Sequence, residues 1–356
     1  MNHTAQVKFA ETPVGVQSAL NFEEISFPCS SKPMFTFIDL FAGIGGFRIA
    51  MQNLGGKCVF SSEIDVNAQK SYHANFGEIP HGDITKIDEN SVPDHDVLCG
   101  GFPCQAFSIA GRKGGFNDTR GTLFFDVARI IKAKQPKAFF LENVKGLVGH
   151  DKGKTLSTIL SVLREDLNYF VPNPTVINAK NFGVPQNRER IFIVGFRKDL
   201  NISEFDYPEP TNQKVFFEDV RENSVVDTRY YLSQTYLNTL KRHRARHENK
   251  GNGFGYMIIP NDGIANAIVV GGMGKERNLI FDDRLTDFTP TTKIKGEVNR
   301  EYIRKMTPRE WARLQGFPDS FKIVVADVNA YKQFGNSVAI PAIQATAAKI
   351  IEKLTH

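Results

Sequence analysis

The residues best suited to chemistry are one cysteine and one glutamate, each placed where an apolar strand ends. The run Asp96-Val97-Leu98-Cys99-Gly100-Gly101 leads into Phe102-Pro103-Cys104-Gln105, so glycines stop a strand and a proline stiffens the loop that carries Cys104. Farther along, Lys137-Ala138-Phe139-Phe140-Leu141 leads into Glu142-Asn143-Val144. That places a carboxyl group at the carboxyl end of a buried strand, where open α/β sheets hold their ligands. A thiol and an acid delivered in this way read as a nucleophile and its proton-handling partner. Taken alone, Cys104 would read as an inert buried thiol, as most intracellular cysteines are.

The elements around the pair point the other way. Phe37-Ile38-Asp39-Leu40-Phe41-Ala42-Gly43-Ile44-Gly45-Gly46-Phe47 is an apolar strand, a glycine turn and the start of a helix from about Phe47 to Leu54. Such a turn lets a cofactor approach the backbone closely, and its glycine spacing is not the dinucleotide G-x-G-x-x-G, which argues against a nicotinamide enzyme. Val59-Phe60-Ser61-Ser62-Glu63-Ile64-Asp65 is a second strand ending in acid, where a carboxylate can accept from both hydroxyls of a ribose. Gly82-Asp83-Ile84 brings another carboxylate, either beside an adenine amino group or as a solvated loop residue. A nucleoside-containing cofactor fits these positions.

Phe41-Ala42-Gly43-Ile44-Gly45-Gly46, Gly101-Phe102-Pro103-Cys104-Gln105, Glu142-Asn143-Val144, Gln186-Asn187-Arg188-Glu189-Arg190 and Gly335-Asn336-Ser337-Val338 resemble, in order and spacing, the DNA cytosine-5 methyltransferase family. The likeness runs from about Phe35 to Ile351 and is nearest to the small bacterial restriction-modification enzymes of the HhaI and HpaII type. It implies S-adenosylmethionine as cofactor and duplex DNA as substrate, with the target cytosine swung out of the stack. Cys104 would add to cytosine C6 and make C5 nucleophilic toward a methyl sulfonium. Glu142 would act at N3, and Arg190, with Arg188 the other member of the Arg-x-Arg pair, would offer donors to O2. The base that removes the C5 proton is not named by the likeness. Cofactor contacts carried over by motif are Phe41, Ile44, Gly46, Glu63, Ile64, Asp83, Ile84, Pro103, Leu123, Asn336, Ser337 and Val338. Ile64 stands where many relatives carry tryptophan, which leaves adenine an aliphatic face, and Ala110 stands where close relatives can carry serine.

Alternation of strands with helical patterns such as Leu123 to Lys134 and Thr155 to Leu167 predicts an α/β fold with a doubly wound, mostly parallel sheet over residues 35–197. Residues 1–34 read as an N-terminal arm. Residues 198–326 break into short segments punctuated by glycine, proline and asparagine, as expected of a smaller, irregular target-recognition domain. Residues 327–356, with a helix from Pro341 to Lys353, return to the catalytic domain. Thr307 to Pro318 reads as a capped helix whose Trp311 packs within the small domain.

DNA contacts are expected from Arg112, Lys113 and Arg120, on a glycine-rich segment read as a mobile lid or an ordinary surface loop. Arg242 and Arg244 belong to a basic cluster after the helical stretch Leu232 to Leu240, which serves either phosphates or solvent. Arg277 and Arg284 are candidates for bidentate pairing with guanine, or are surface or structural charges. Likeness to the HpaII type suggests CCGG as target, with GCGC or a longer GC-rich palindrome as alternatives.

Length and balance agree with this reading: 356 residues, 41% hydrophobic and 23% charged, describe an ordinary globule with a large core, and a net charge of +5 favours a polyanionic partner only weakly. The four cysteines show neither metal spacing nor a secreted framework, so no metal is expected. No apolar run approaches membrane length, and a cytoplasmic monomer is expected, with a cognate restriction endonuclease that shares the site without direct contact. Two rivals remain: a tRNA cytosine-5 methyltransferase, and a catalytically silent DNA-binding regulator, which intact Cys104, Glu142 and Arg190 oppose.

Overall fold

Strands that are apolar on both faces need cover on both faces, and this requirement organises the chain. The computed structural model describes residues 25–103, 123–211 and 213–355. In order, the elements are β1 (Phe35–Leu40), α1 (Gly46–Asn53), β2 (Gly56–Ser62), α2 (Val66–Phe76), β3 (Val97–Gly101), α3 (Leu123–Lys134), β4 (Ala138–Val144), α4 (Lys154–Ser161), β5 (Tyr169–Phe170), β6 (Thr175–Asn178), β7 (Gln186–Asn187) and β8 (Glu189–Arg197). After them come α5 (Gln234–Glu248), β9 (Ile258–Ile259), β10 (Ala265–Asn266), β11 (Leu279–Phe281), β12 (Ile303–Lys305), α6 (Pro308–Leu314), α7 (Asp327–Asn336) and α8 (Ile340–Thr355).

The central sheet has seven strands in the order β2-β1-β3-β4-β8-β5, with β6 also paired to β8. Successive residues of one strand enter opposite cores: Phe37, Phe140 and Val194 face the cluster that contains α1 and α8, while Ile38, Phe139, Leu141 and Ile193 face the one that contains α3. β2, β1, β3 and β4 are parallel, as the alternation predicts. The far side is not: β8 runs antiparallel to β4, β5 and β6. No crossover helix separates β6 from β8, and a short connection imposes antiparallel pairing.

Helix ends follow their capping chemistry. In α6, the Thr307 hydroxyl accepts from the Glu310 N–H, Glu310 answers on Thr307 N–H, and Pro308 opens the first turn. The helix after Lys154 changes to a π-helical turn at Val162–Asp166, where a continuous helix to Leu167 was expected. α5 runs through the basic cluster, which the sequence reading placed beyond the helix. Ser233 caps its start, and the lysines and arginines that follow are themselves good helix formers.

One further expectation changes. Trp311 is buried, but it packs edge-on against Tyr331 of α7 at 4.8 Å and joins the large core that also holds α1 and α8, so its packing is not confined to residues 198–326. The described part of the N-terminal arm is docked: the Phe27 ring lies 5.6 Å from Phe76 and 6.2 Å from Phe321, and Phe27 N–H donates to Asn75.

Asp39, the penultimate residue of β1, is buried, and its Oδ2 has no hydrogen-bond partner among the described residues. Burial pushes its carboxyl from 3.8 up to about 8, against the pull of Arg48. A folded-state pKa above the unfolded one gives stability that is full below the unfolded value and lost as pH rises toward the folded one. Asp39→Asn cannot ionise, so its melting temperature relative to wild type is expected to climb between about pH 5 and pH 8. A difference that stays flat over that range would show that Asp39 ionises in the fold as it does in the unfolded chain.

Candidate active site

The parallel strands end side by side, and the order β2-β1-β3 reverses direction at β1, which opens a crevice at the carboxyl edge. The crevice has a volume of about 700 Å³. Its walls come from the segments after β1, β2 and β3, from the end of β4, and from α7 with the turn after it. All twelve residues expected to hold the cofactor line it: Phe41, Ile44 and Gly46; Glu63 and Ile64; Asp83 and Ile84; Pro103 and Leu123; Asn336, Ser337 and Val338.

Local geometry explains the glycine turn. Gly43 sits at φ 56°, which favours glycine, and its N–H donates to Glu63 Oε2 at 2.8 Å. At Gly46 a Cβ would fall 2.7 Å from Val338 Cγ2 and 3.0 Å from Ser337 Oγ, so only glycine allows the turn after α7 to close against α1. Phe41 itself lies in the left-handed region at φ 57°, a strained conformation of the kind that collects at ligand sites. Asp83 caps its own turn through Thr85, which holds its carboxyl below the usual range.

The catalytic candidates meet at the same edge. Glu142 in β4 and Arg190 in β8 form a salt bridge at 2.9 Å. The antiparallel register pairs Glu142 with Phe192 and Val144 with Arg190, which puts Glu142 and Arg190 on one face of the sheet. Burial raises the Glu142 carboxyl although Arg190 and Arg188 pull it down, the direction that favours an acid able to hold its proton. Asn143, quoted in the motif without a role, donates from Nδ2 to the Phe102 carbonyl at 2.8 Å and so fixes the loop that leads to Cys104.

Arg188 is different from its neighbour. It is buried, and its guanidinium donates to the main-chain carbonyls of Ile268, Gly335 and Ser337. Burial draws its pKa down to about 9, leaving it charged at neutral pH. This geometry makes Arg188 a clamp between chain segments, although it also lines the crevice. Gln186 works beside it, donating to the Leu314 carbonyl and accepting from the Ile268 N–H.

Cys104, Arg112, Lys113, Arg120 and Ala110 lie outside the described residues, as does the expected lid. Arg284 is corrected: its guanidinium is spent on Asp282 and on the carbonyls of Glu222 and Asn223, so it is a structural charge. Arg244 pairs with Glu248 at 2.8 Å and lies over the Tyr256 ring. Arg242 makes one long hydrogen bond, to Thr239 at 3.4 Å. Sequence reasoning missed Asn67, Asn329, Lys332 and Gln333, which also line the crevice; nothing in their spacing signals a cavity. Among the described residues, no cluster of His, Cys, Asp and Glu could hold a metal ion, and no helix is long and apolar enough to cross a membrane.

A doubly wound sheet with a nucleoside crevice at its switch point, and an acid and arginine beside it, is the architecture of S-adenosylmethionine-dependent methyltransferases. Residues 35–352 match the C-5 cytosine-specific DNA methylase family, and the chain belongs to it. It is 71% identical over 335 residues to the Type II methyltransferase M.HpaII of Haemophilus parainfluenzae, covering 94% of this chain and 93% of that one. The Type II methyltransferase M.HhaI of Haemophilus parahaemolyticus is 44% identical over 88% of this chain and 93% of its own. The fold is shared with the S. pombe Dnmt2 methyltransferase, with TM-score 0.68 at 18% identity over 90% of this chain and 100% of that one. The protein is thus a DNA cytosine-5 methyltransferase of the restriction-modification type that uses S-adenosylmethionine.

Proposed function

We propose that the protein methylates C5 of cytosine within CCGG in duplex DNA, with Cys104, Glu142 and Arg190 as the groups that touch the reacting ring. The observation that carries the chemical part is the pairing of buried Glu142 with half-buried Arg190 in the crevice lining, beside the Phe102 carbonyl that Asn143 holds. The identity to M.HpaII supports the target.

In this reading the Cys104 thiolate adds to C6 while Glu142 shares its proton with N3, so negative charge does not build up on the ring. Arg190 donates to O2 and helps Glu142 draw electron density away from C6. Bound S-adenosylmethionine supplies an electrophilic methyl group. After the C5 proton is lost, the Cys104 sulfur leaves C6 and the aromatic ring is restored. Gly43, Gly46 and Glu63 would hold the nucleoside end of the donor; the positive φ at Gly43 and the carboxylate lone pairs left on Glu63 fit that group.

The domain plan follows the same logic, with catalysis in residues 35–197, recognition in 198–326 and a return in 327–356. Arg112, Lys113, Arg120, Arg242 and Arg277 serve as DNA contacts, and Arg244 contributes after release from Glu248. The enzyme acts as a cytoplasmic monomer that modifies each strand of a palindrome in turn, beside an endonuclease that reads the same site.

Tritiated methyl transfer to a plasmid, followed by bisulfite sequencing, tests the target. Methylation confined to one cytosine of every CCGG is the expected result, and methylation at GCGC or another motif would overturn it.

A further inference from the structure

The crevice is enclosed by a nearly continuous belt of contacts, and one link of that belt differs from the rest. Starting at the glycine turn, Gly43 N–H donates to Glu63 Oε2, and Glu63 Oε1 accepts from Asp65 N–H at 2.7 Å. Asp65 Oδ2 then meets Lys332 Nζ at 2.5 Å, crossing from the start of α2 to α7, segments 267 residues apart in the chain. α7 runs on to Ser337 and Val338, which press against Gly46 and bring the belt back to the glycine turn. Asp65, Lys332 and Gln333 all line the crevice.

Deeper along the same seam, α2 is fastened to the C-terminal region by neutral bonds. Ser71 donates to Gln333 Oε1 at 2.9 Å, and Asn75 exchanges two hydrogen bonds with the backbone of Lys322. The first is buried and the other two are partly so. The Asp65–Lys332 pair is ionic and half open to solvent, with the lysine side chain 52% and the aspartate side chain 29% exposed. It is the link that water and salt can open.

We propose that Asp65 and Lys332 are positioning residues, forming a clasp that holds α7 against α2 across the crevice and lengthens the stay of the bound methyl donor. They act through the walls they join. The inference rests on the crevice holding S-adenosylmethionine. Asp65 also caps α2 by accepting from Asn67 N–H and Ala68 N–H, so the informative change is Asp65→Asn, which keeps the cap and removes the charge.

The experiment measures binding of S-adenosylmethionine and of S-adenosylhomocysteine by titration calorimetry, together with their dissociation rates, for wild type, Asp65→Asn, Lys332→Met and the double variant. Each single variant is expected to weaken binding about three- to fivefold through faster dissociation, the span that a partly exposed ion pair can supply. The double variant should be no weaker than either single one, because both changes cut the same link. Added salt should weaken wild type toward the variants and leave the variants unmoved. Loss of binding in Lys332→Met alone would mean that the lysine touches the donor directly, and additive losses would mean two independent sites; either overturns the clasp. A wild type that binds neither ligand would instead remove the cofactor reading of the crevice, and the clasp with it.

Discussion

Glu142→Gln is expected to lower kcat for methyl transfer by about 10²- to 10⁴-fold, the usual contribution of a positioned general acid. Glutamine keeps the shape and can still donate a hydrogen bond to N3, but it has no proton to share as the thiolate adds. Cys104→Ala, assayed beside it, sets the floor at which no covalent addition occurs. The buried setting of Glu142 sharpens the expectation, because burial raises its carboxyl and so extends the protonated form to higher pH. That form is lost as pH rises, whereas the thiolate of Cys104 is gained. Wild type should therefore show a decline in rate on the alkaline side that Glu142→Gln lacks. A variant that turns over within about tenfold of wild type would remove Glu142 from the acid role.

The second large effect is on stability. Asp282 is buried and accepts from three arginines: Arg221 at 2.7 Å, Arg284 at 2.8 Å and Arg304 at 2.7 Å. Arg304 in turn holds Glu310 at 2.7 Å, which also caps α6. Asp282→Ala leaves this positive cluster short of a buried anion, and removing one partner of such a network costs about 3–5 kcal/mol. Burial alone would raise the Asp282 carboxyl, yet hydrogen bonds from Arg284 and Arg304 hold it far below the usual range. A depressed folded-state pKa contributes stability above the unfolded value, near 3.8, and loses it below. The gap between wild type and Asp282→Ala in denaturant melts should thus be widest near neutral pH and narrow under acid. A loss under about 1 kcal/mol at pH 7 would show that the cluster is hydrated.

The parts of this molecule that could be read from sequence are those built from neighbouring residues. β1 through β4 are legible because parallel, doubly covered strands appear as apolar runs stopped by glycine or acid, and the residue after the stop falls at the crevice. α3 was legible to its ends, and the Thr307–Glu310 cap announced α6. What stayed hidden depends on pairing at a distance. Arg284 and Arg277 look alike in the sequence; one is spent on Asp282 and two carbonyls, a fact that only the turn at Glu222 and Asn223 creates. Arg188 and Arg190 are two residues apart, so both fall on one face of an extended chain. Only the approach of Ile268 and Ser337 turns the first into a clamp while Glu142 holds the second. Lys332 and Asp65 carry no mark at all until α7 comes to rest beside α2.

The Arg188 clamp tolerates side-chain change among its partners. Each acceptor of its guanidinium is a main-chain carbonyl, and Gln186 likewise takes the N–H of Ile268 and gives to the carbonyl of Leu314. Carbonyls belong to every residue type, and an N–H to every type but proline. The socket that receives the segments at Ile268, Leu314 and Ser337 therefore asks for a backbone path and imposes almost no vocabulary of side chains. Such a joint leaves the side chains around it free to change while the Glu142–Arg190 pair, held between two strands of one sheet, stays as it was.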